Sequence, residues 1–168
     1  MKATFEELRN GKISGIPDSP GIYWVKIPNN FNLEIMQNPD GIDMNPKYLI
    51  ENLQMKIKHY LLEEKGGGIL YIGKANNLRE RIESYTAFGY NDKRFIKHAG
   101  GRAIWYIKNN KQLLVEYIEY KNLIGLEKDI VKQYLEKEET EFIDKYIIKY
   151  GVLPFGNQIR GKKKYRIF

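Results

Sequence analysis

The sequence predicts an α+β domain, a small antiparallel sheet of about three central strands flanked by helices. Two runs of β-branched and aromatic residues bounded by glycine or proline, 21–27 and 69–72, read as strands. A third region, 103–120, reads as a hairpin, its halves 103–107 and 113–118 joined by a turn at Asn109-Asn110. Apolar residues at spacings of three and four between and beyond these strands supply helices to cover them.

Taken in order, residues 4–10 suit a short helix ending before Gly11, followed by the turn-rich run 15–20 with its two prolines. After the first strand, residues 28–47 are loop-like, rich in Asn, Pro and Asp. Residues 48–63 place Tyr48, Leu49, Leu53, Ile57 and Tyr60 at helical spacing, and Gly66-Gly67-Gly68 breaks that helix. Gly73 is expected to end the second strand, with Asn76 or Asn77 capping the helix that follows. Two more helices are expected over about 123–136 and 138–150, because their apolar stripes point in different directions. Gly151 stops the second, and Pro154 sits beyond it. Residues 1–168 then form a single domain, with a helical insertion at about 29–67 between the first two strands and a tail at 158–168.

The chain has 42% hydrophobic and 13% aromatic residues, as a folded globular domain requires. It has no cysteine, which excludes disulfides and thiolate zinc sites. It shows neither a leader-like apolar run nor a stretch long enough to span a bilayer, so an intracellular, cytoplasmic protein with no membrane association is expected. The net charge of +7 is concentrated. Residues 74–102 hold seven basic groups (Lys74, Arg79, Arg81, Lys93, Arg94, Lys97, Arg102) against three acids. The tail adds Arg160, Lys162, Lys163, Lys164 and Arg166 with no acid, leaving the remainder slightly negative. Two such patches suit a polyanion, and equally a solvated face with a solubilising tail.

On the helix after Asn77, Leu78, Ile82 and Tyr85 share one stripe, and Arg81 lies about 65° from its centre. From there its guanidinium either reaches over the protein body or its stem covers the core edge. On the helix near 139, Glu139 projects onto the face formed by Phe142, Ile143, Tyr146, Ile147 and Tyr150, whereas Glu141 projects away. An inward carboxylate needs a cation, an arginine or helix N–H groups to receive it. Glu139 is thus a metal-ligand candidate, or a residue capping the helix start. Among thirteen tyrosines, Tyr23 and Tyr71 stand on presumed neighbouring strands, close in sequence to Lys74 and Arg81.

Gly21-Ile22-Tyr23 and Tyr71-Ile72-Gly73, with Arg81 ten residues after Tyr71, resemble the signature of the GIY-YIG nuclease family. The run from Tyr71 to Tyr85 is most similar to the N-terminal nuclease domain of the bacterial nucleotide-excision-repair incision subunit. The similarity covers roughly 20–27, 68–120 and 138–157. It implies a catalytic set of Tyr23, Tyr71, Lys74, Arg81, Glu139 and Asn157, with Glu139 as metal ligand and Glu141 as the alternative register. Tyr85 sits where some relatives have histidine. Tyr23 and Tyr71 are 48 positions apart, whereas a short turn is usual, so the insertion stands beside the implied site. His98 lies in a segment, 98–105, similar to some bacterial members, where a hairpin-entry turn with a packed Trp105 is the simplest role.

The resemblance implies a DNA endonuclease using Mg²⁺ or Mn²⁺. Arg81 would stabilise charge on the phosphate, either tyrosine would orient or deprotonate water, and Lys74 would lower a phenol's pKa. Lys74, Arg79, Arg81, Lys93, Arg94, Lys97, Arg102, Lys162, Lys163 and Lys164 would hold DNA. A binding module that has lost cleavage is the alternative. No separate DNA-reading motif is visible, so specificity would come from the insertion, the tail, a homodimer or a partner. Restriction, mobile-element and repair roles all remain open at this point.

Overall fold

The computed structural model describes residues 2–36, 54–57, 68–87 and 103–157. Its centre is a four-stranded antiparallel sheet in the order β1-β4-β2-β3. The strands are β1 (Lys2–Thr4), β2 (Gly21–Lys26), β3 (Ile69–Ala75) and β4 (Leu114–Glu119). Of the four expected strand segments, 21–27, 69–72 and 113–118 are present as β2, β3 and β4, and the short β1 joins β4 at one margin. Helices α1 (Phe5–Arg9) and α2 (Leu78–Ala87) lie with one core cluster, and α3 (Lys128–Tyr150) with another.

Alternation along the strands creates the two cores. Tyr23, Val25 and Val115 face α1 and α2, where they pack with Phe5, Leu8, Leu78, Ile82 and Tyr85. Ile22 and Ile72 face α3 and pack with Val131, Leu135, Ile143 and Tyr146. Burying the Leu78, Ile82 and Tyr85 stripe is worth about 1.5–3 kcal/mol per side chain, enough to fix which way α2 faces.

Local chemistry sets the helix ends. Thr4 and Glu7 form a reciprocal capping box on α1, Glu7 N–H donating to Thr4 Oγ1 at 3.1 Å and Thr4 N–H to Glu7 Oε2 at 2.9 Å. The first amides of α2 are received by the turn-rich run before β2, Leu78 N–H by Ser19 O and Arg79 N–H by Pro17 O. Asn77 Oδ1 accepts from Glu80 N–H at 3.0 Å, so Asn77 is the capping asparagine. Gly151 ends α3 with φ 73°, the left-handed conformation a glycine adopts without strain.

Three expectations are corrected. Gly73 does not end β3, which continues through Lys74 and Ala75 paired against β2. Residues 103–107 are not half of a hairpin. Residues 103–105 form a helical turn, Ile107 bridges to Ile35, and β4 pairs instead with β2 and β1. A five-residue apolar run has no periodicity long enough to separate strand from buried turn. The chain does reverse at Asn109 (φ 58°), before a short 3₁₀ turn. Finally, residues 128–150 form one 23-residue helix and not two. No Gly or Pro interrupts this stretch, and its Glu and Lys residues are good helix formers.

The insertion is partly built into the core. Phe31 and Leu33 are buried, Met36 N–H donates to Tyr106 O, and Glu34 pairs with Lys108 at 3.1 Å. Residues 54–57 are helical with Ile57 buried; the rest of the expected 48–63 helix lies outside the described residues. Among the described residues no helix is long and apolar enough to cross a membrane.

Candidate active site

The two signature glycines are explained by close approach. On β2, Tyr23 stands opposite Gly73 of β3. Because Gly73 has no side chain, the Tyr23 ring lies across it toward Tyr71, with ring centroids 5.8 Å apart. A Cβ on Gly73 would sit 2.6 Å from the Tyr71 ring and 2.7 Å from the Tyr23 ring. A Cβ on Gly21 would run into the Ile118 carbonyl oxygen and Leu78.

Tyr85 of α2 completes a cluster of three phenols, its ring 5.1 Å from Tyr71 and 5.7 Å from Tyr23. Tyr23 and Tyr85 are buried, while Tyr71 is partly exposed. The Tyr23 hydroxyl donates to that of Tyr71. Burial pushes the Tyr71 phenol up to about 12, helped by the negative charge of Glu139. The hydrogen bond from Tyr23 and the charge of Arg81 pull the other way. Burial also holds Tyr23 and Tyr85 well above the ordinary tyrosine value. The expected lowering of a phenol's pKa is therefore corrected, because desolvation outweighs the neighbouring cation.

These shifts carry a stability consequence. The phenols are neutral in the folded protein and ionise near 10 once unfolded. Their contribution is full below pH 10 and is lost as pH rises through about 12, the folded value of Tyr71. Denaturant titrations should show a falling unfolding free energy between these limits, and Tyr71→Phe should flatten part of the decline.

Glu139 lies midway along α3, on the stripe that also carries Val131, Leu135 and Ile143, each four residues from the next. It is not at a helix start. Its receiver is Lys74 of β3, whose Nζ lies 2.5 Å from Oε2, and its side chain is only 13% exposed. Glu141 points outward, 47% exposed, 3.8 Å from Lys137. Tyr71 and Lys74 leave opposite faces of β3, yet Tyr71 feels the Glu139 charge. β3 is the margin of the sheet, so groups from both faces converge there.

Asn157 holds that margin. Its Oδ1 accepts from Ile72 N–H at 2.9 Å, and its Nδ2 donates to Ile72 O at 2.8 Å. Gly156 N–H donates to Leu70 O at 2.7 Å, so the loop before residue 158 acts as a short substitute strand. Asn157→Ala would orphan two buried backbone groups of Ile72, at about 1–3 kcal/mol each. Thermal unfolding should occur roughly 5–15 °C lower.

Arg81 is exposed on α2, near enough for its charge to act on Tyr23 and Tyr71. Arg79 is turned to the protein instead, its Nε donating to Ile16 O at 2.8 Å and its Nη1 lying 2.6 Å from Asp18. Tyr23, Tyr71, Lys74, Arg81, Glu139 and Asn157 are thus assembled around β3. Lys93, Arg94, Lys97, His98, Arg102, Lys162, Lys163 and Lys164 lie outside the described residues. Sequence reasoning missed the Lys74–Glu139 pair and the contact of Lys56 with the loop at 155–157. Lys56, three residues after Leu53 and four before Tyr60, was readable as a charge on an apolar stripe.

A four-stranded antiparallel sheet with the Tyr23 ring crossing Gly73, flanked by helices carrying Arg81 and Glu139, is consistent with a GIY-YIG type of fold. The comparisons make this more particular, since the model of the UvrC-like GIY-YIG domain matches residues 58–137. Tyr23, Glu139 and Asn157 lie beyond the matched stretch, so their places rest on the geometry above. The chain is 28% identical over 144 residues to the UvrABC system protein C of Mycoplasma capricolum, covering 70% of this chain and 23% of that protein. With the protein of the same name from Psychrobacter arcticus it is 30% identical over 103 residues, covering 61% and 16%. With that of Francisella tularensis it is 28% identical over 137 residues, covering 79% and 21%. The chain spans about a quarter or less of the length of these curated relatives. No solved structure matches it.

Proposed function

We propose that this chain is a DNA endonuclease that hydrolyses phosphodiester bonds with a divalent cation at Glu139. The observation that carries the reading is the carboxylate of Glu139 on an otherwise apolar helix stripe, beside Lys74, Tyr71 and Arg81 at the margin of β3. Among the described residues no three His, Cys, Asp or Glu come together as a metal cage. One carboxylate fits a hard cation that keeps several waters, as Mg²⁺ and Mn²⁺ do. When bound, such a cation supplies Lewis-acid charge at the phosphate and an acidified water.

The protein's own groups do the rest. Arg81 neutralises charge growing on the phosphoryl oxygens. Tyr71, the partly exposed phenol of the three, orients the attacking water by hydrogen bonding at its oxygen, while Tyr23 donates to that oxygen and fixes it; the proton the water loses passes to solvent. Lys74 holds the Glu139 carboxylate in place. Asn157 keeps the Tyr71-to-Lys74 segment at fixed geometry through Ile72. Basic residues, Arg81 among them, would grip the backbone and make affinity depend on salt. A DNA substrate accords with an intracellular, cytoplasmic setting.

Incubating the protein with supercoiled plasmid and Mg²⁺ or Mn²⁺ tests this. Nicking that stops with chelator, and falls about 10²–10³-fold in Arg81→Ala, is expected. Binding without nicking across several divalent metals would favour the cleavage-deficient module.

A further inference from the structure

We infer that Lys56 is a positioning residue that ties the insertion between β2 and β3 to the loop carrying Asn157, so that cleavage geometry depends on the insertion. The inference deepens the endonuclease reading and rests on it for its catalytic consequence. Lys56 belongs to the helical segment 54–57, anchored by Ile57 in the same core as Phe31, Leu33 and Phe155. Its Nζ lies 3.4 Å from both the Phe155 and the Asn157 carbonyl oxygens.

The direction of these carbonyls gives the contact its meaning. The N–H and C=O of one peptide unit point in opposite directions. Gly156 N–H is directed at Leu70 O of β3, so the Phe155 carbonyl faces away from the sheet. Lys56 meets it there. The loop is gripped from both sides, by β3 through Gly156 and Asn157 and by the insertion through one ammonium. It also sits close to the catalytic phenol: a Cβ on Gly156 would come within 3.1 Å of the Tyr71 ring. A displaced loop would therefore move both the Ile72 clip and the Tyr71 ring.

Partial burial depresses the pKa of Lys56, so holding its charge at this place carries a desolvation cost. An apolar residue on this stripe would bury more easily, but would leave the outward Phe155 carbonyl without its cationic partner.

Lys56→Met keeps the length of the stem and removes the ammonium; Lys56→Arg restores a cationic donor. In the intact chain, amide hydrogen exchange at Ile72 should quicken by about tenfold or more in Lys56→Met, with Val115 of β4 unchanged. In plasmid nicking, kcat should fall about tenfold at constant KM, and Lys56→Arg should recover most of the loss. Unchanged exchange at Ile72, or equal acceleration at Val115, would overturn the tether. Should Lys56→Met fail to fold, Lys56→Gln carries the same expectations. A wild-type protein that cuts no DNA would sink the endonuclease reading, while exchange at Ile72 still decides the tether.

Discussion

Glu139→Ala is expected to lower plasmid nicking by about a thousandfold or more, with DNA binding retained. The carboxylate sits in the row of Val131, Leu135 and Ile143, and its neighbour Glu138 is engaged by the Tyr120 hydroxyl at 2.7 Å. The fold should survive, because the freed Lys74 side chain is 32% exposed and can reach water. Removing a negative charge beside the phosphate site should leave affinity unchanged or slightly higher. Gel-shift and nicking assays on one preparation read both quantities. Glu141→Ala is the control: its carboxylate faces solvent next to Lys137, and its loss should change cleavage less than about threefold. Cleavage that survives Glu139→Ala and disappears in Glu141→Ala would reverse the assignment.

Gly73→Ala is expected to damage stability and cleavage together. The added methyl would meet the Tyr71 ring at 2.6 Å and the Tyr23 ring at 2.7 Å, contacts that real Cβ atoms do not make. Tyr23 is walled in by Tyr85 and the core, so it cannot simply swing away. Overpacking of this kind costs about 1–3 kcal/mol. The relieving movement displaces Tyr71, and a shift near 1 Å at a positioned group can cost about a hundredfold in rate. Thermal unfolding together with single-turnover cleavage separates the two effects. A variant that unfolds earlier yet cleaves normally would show that the Tyr23–Tyr71 contact has no part in the chemistry.

Local signals in the sequence carried much of this site. Strands β2 and β3 were visible from their β-branched runs, and α2 from Leu78, Ile82 and Tyr85. The resemblance and the helical phase both prefer Glu139 over Glu141, and the burial of the two side chains agrees with that preference. The same helix carries the largest misreading. The apolar stripes of 123–136 and 138–150 point in different directions and read as a break, yet residues 128–150 are one helix with Val131, Leu135, Glu139 and Ile143 in a single row. Ile130 is exposed, and an apolar residue outside the buried row skews a direction read from hydrophobicity alone. Long-range pairing was not legible: nothing local tells β4 to join β2 and β1, or Ile107 to meet Ile35. The Asn157 clip was equally hidden, since Asn157 and Ile72 are 85 positions apart. Thr4-x-x-Glu7, by contrast, was readable as a capping box and would have located α1.

The clip on β3 also bears on how the protein behaves when crowded with copies of itself. An open sheet margin is a template for another chain, and long exposed margins invite fibrous association. Here one margin is β1, only three residues long. At the other, the outward groups of Leu70 and Ile72 are already taken by Gly156 and Asn157. Weakening Asn157 would thus loosen β3 and uncover it as an adhesive strand, and aggregation on storage would be the first sign of it.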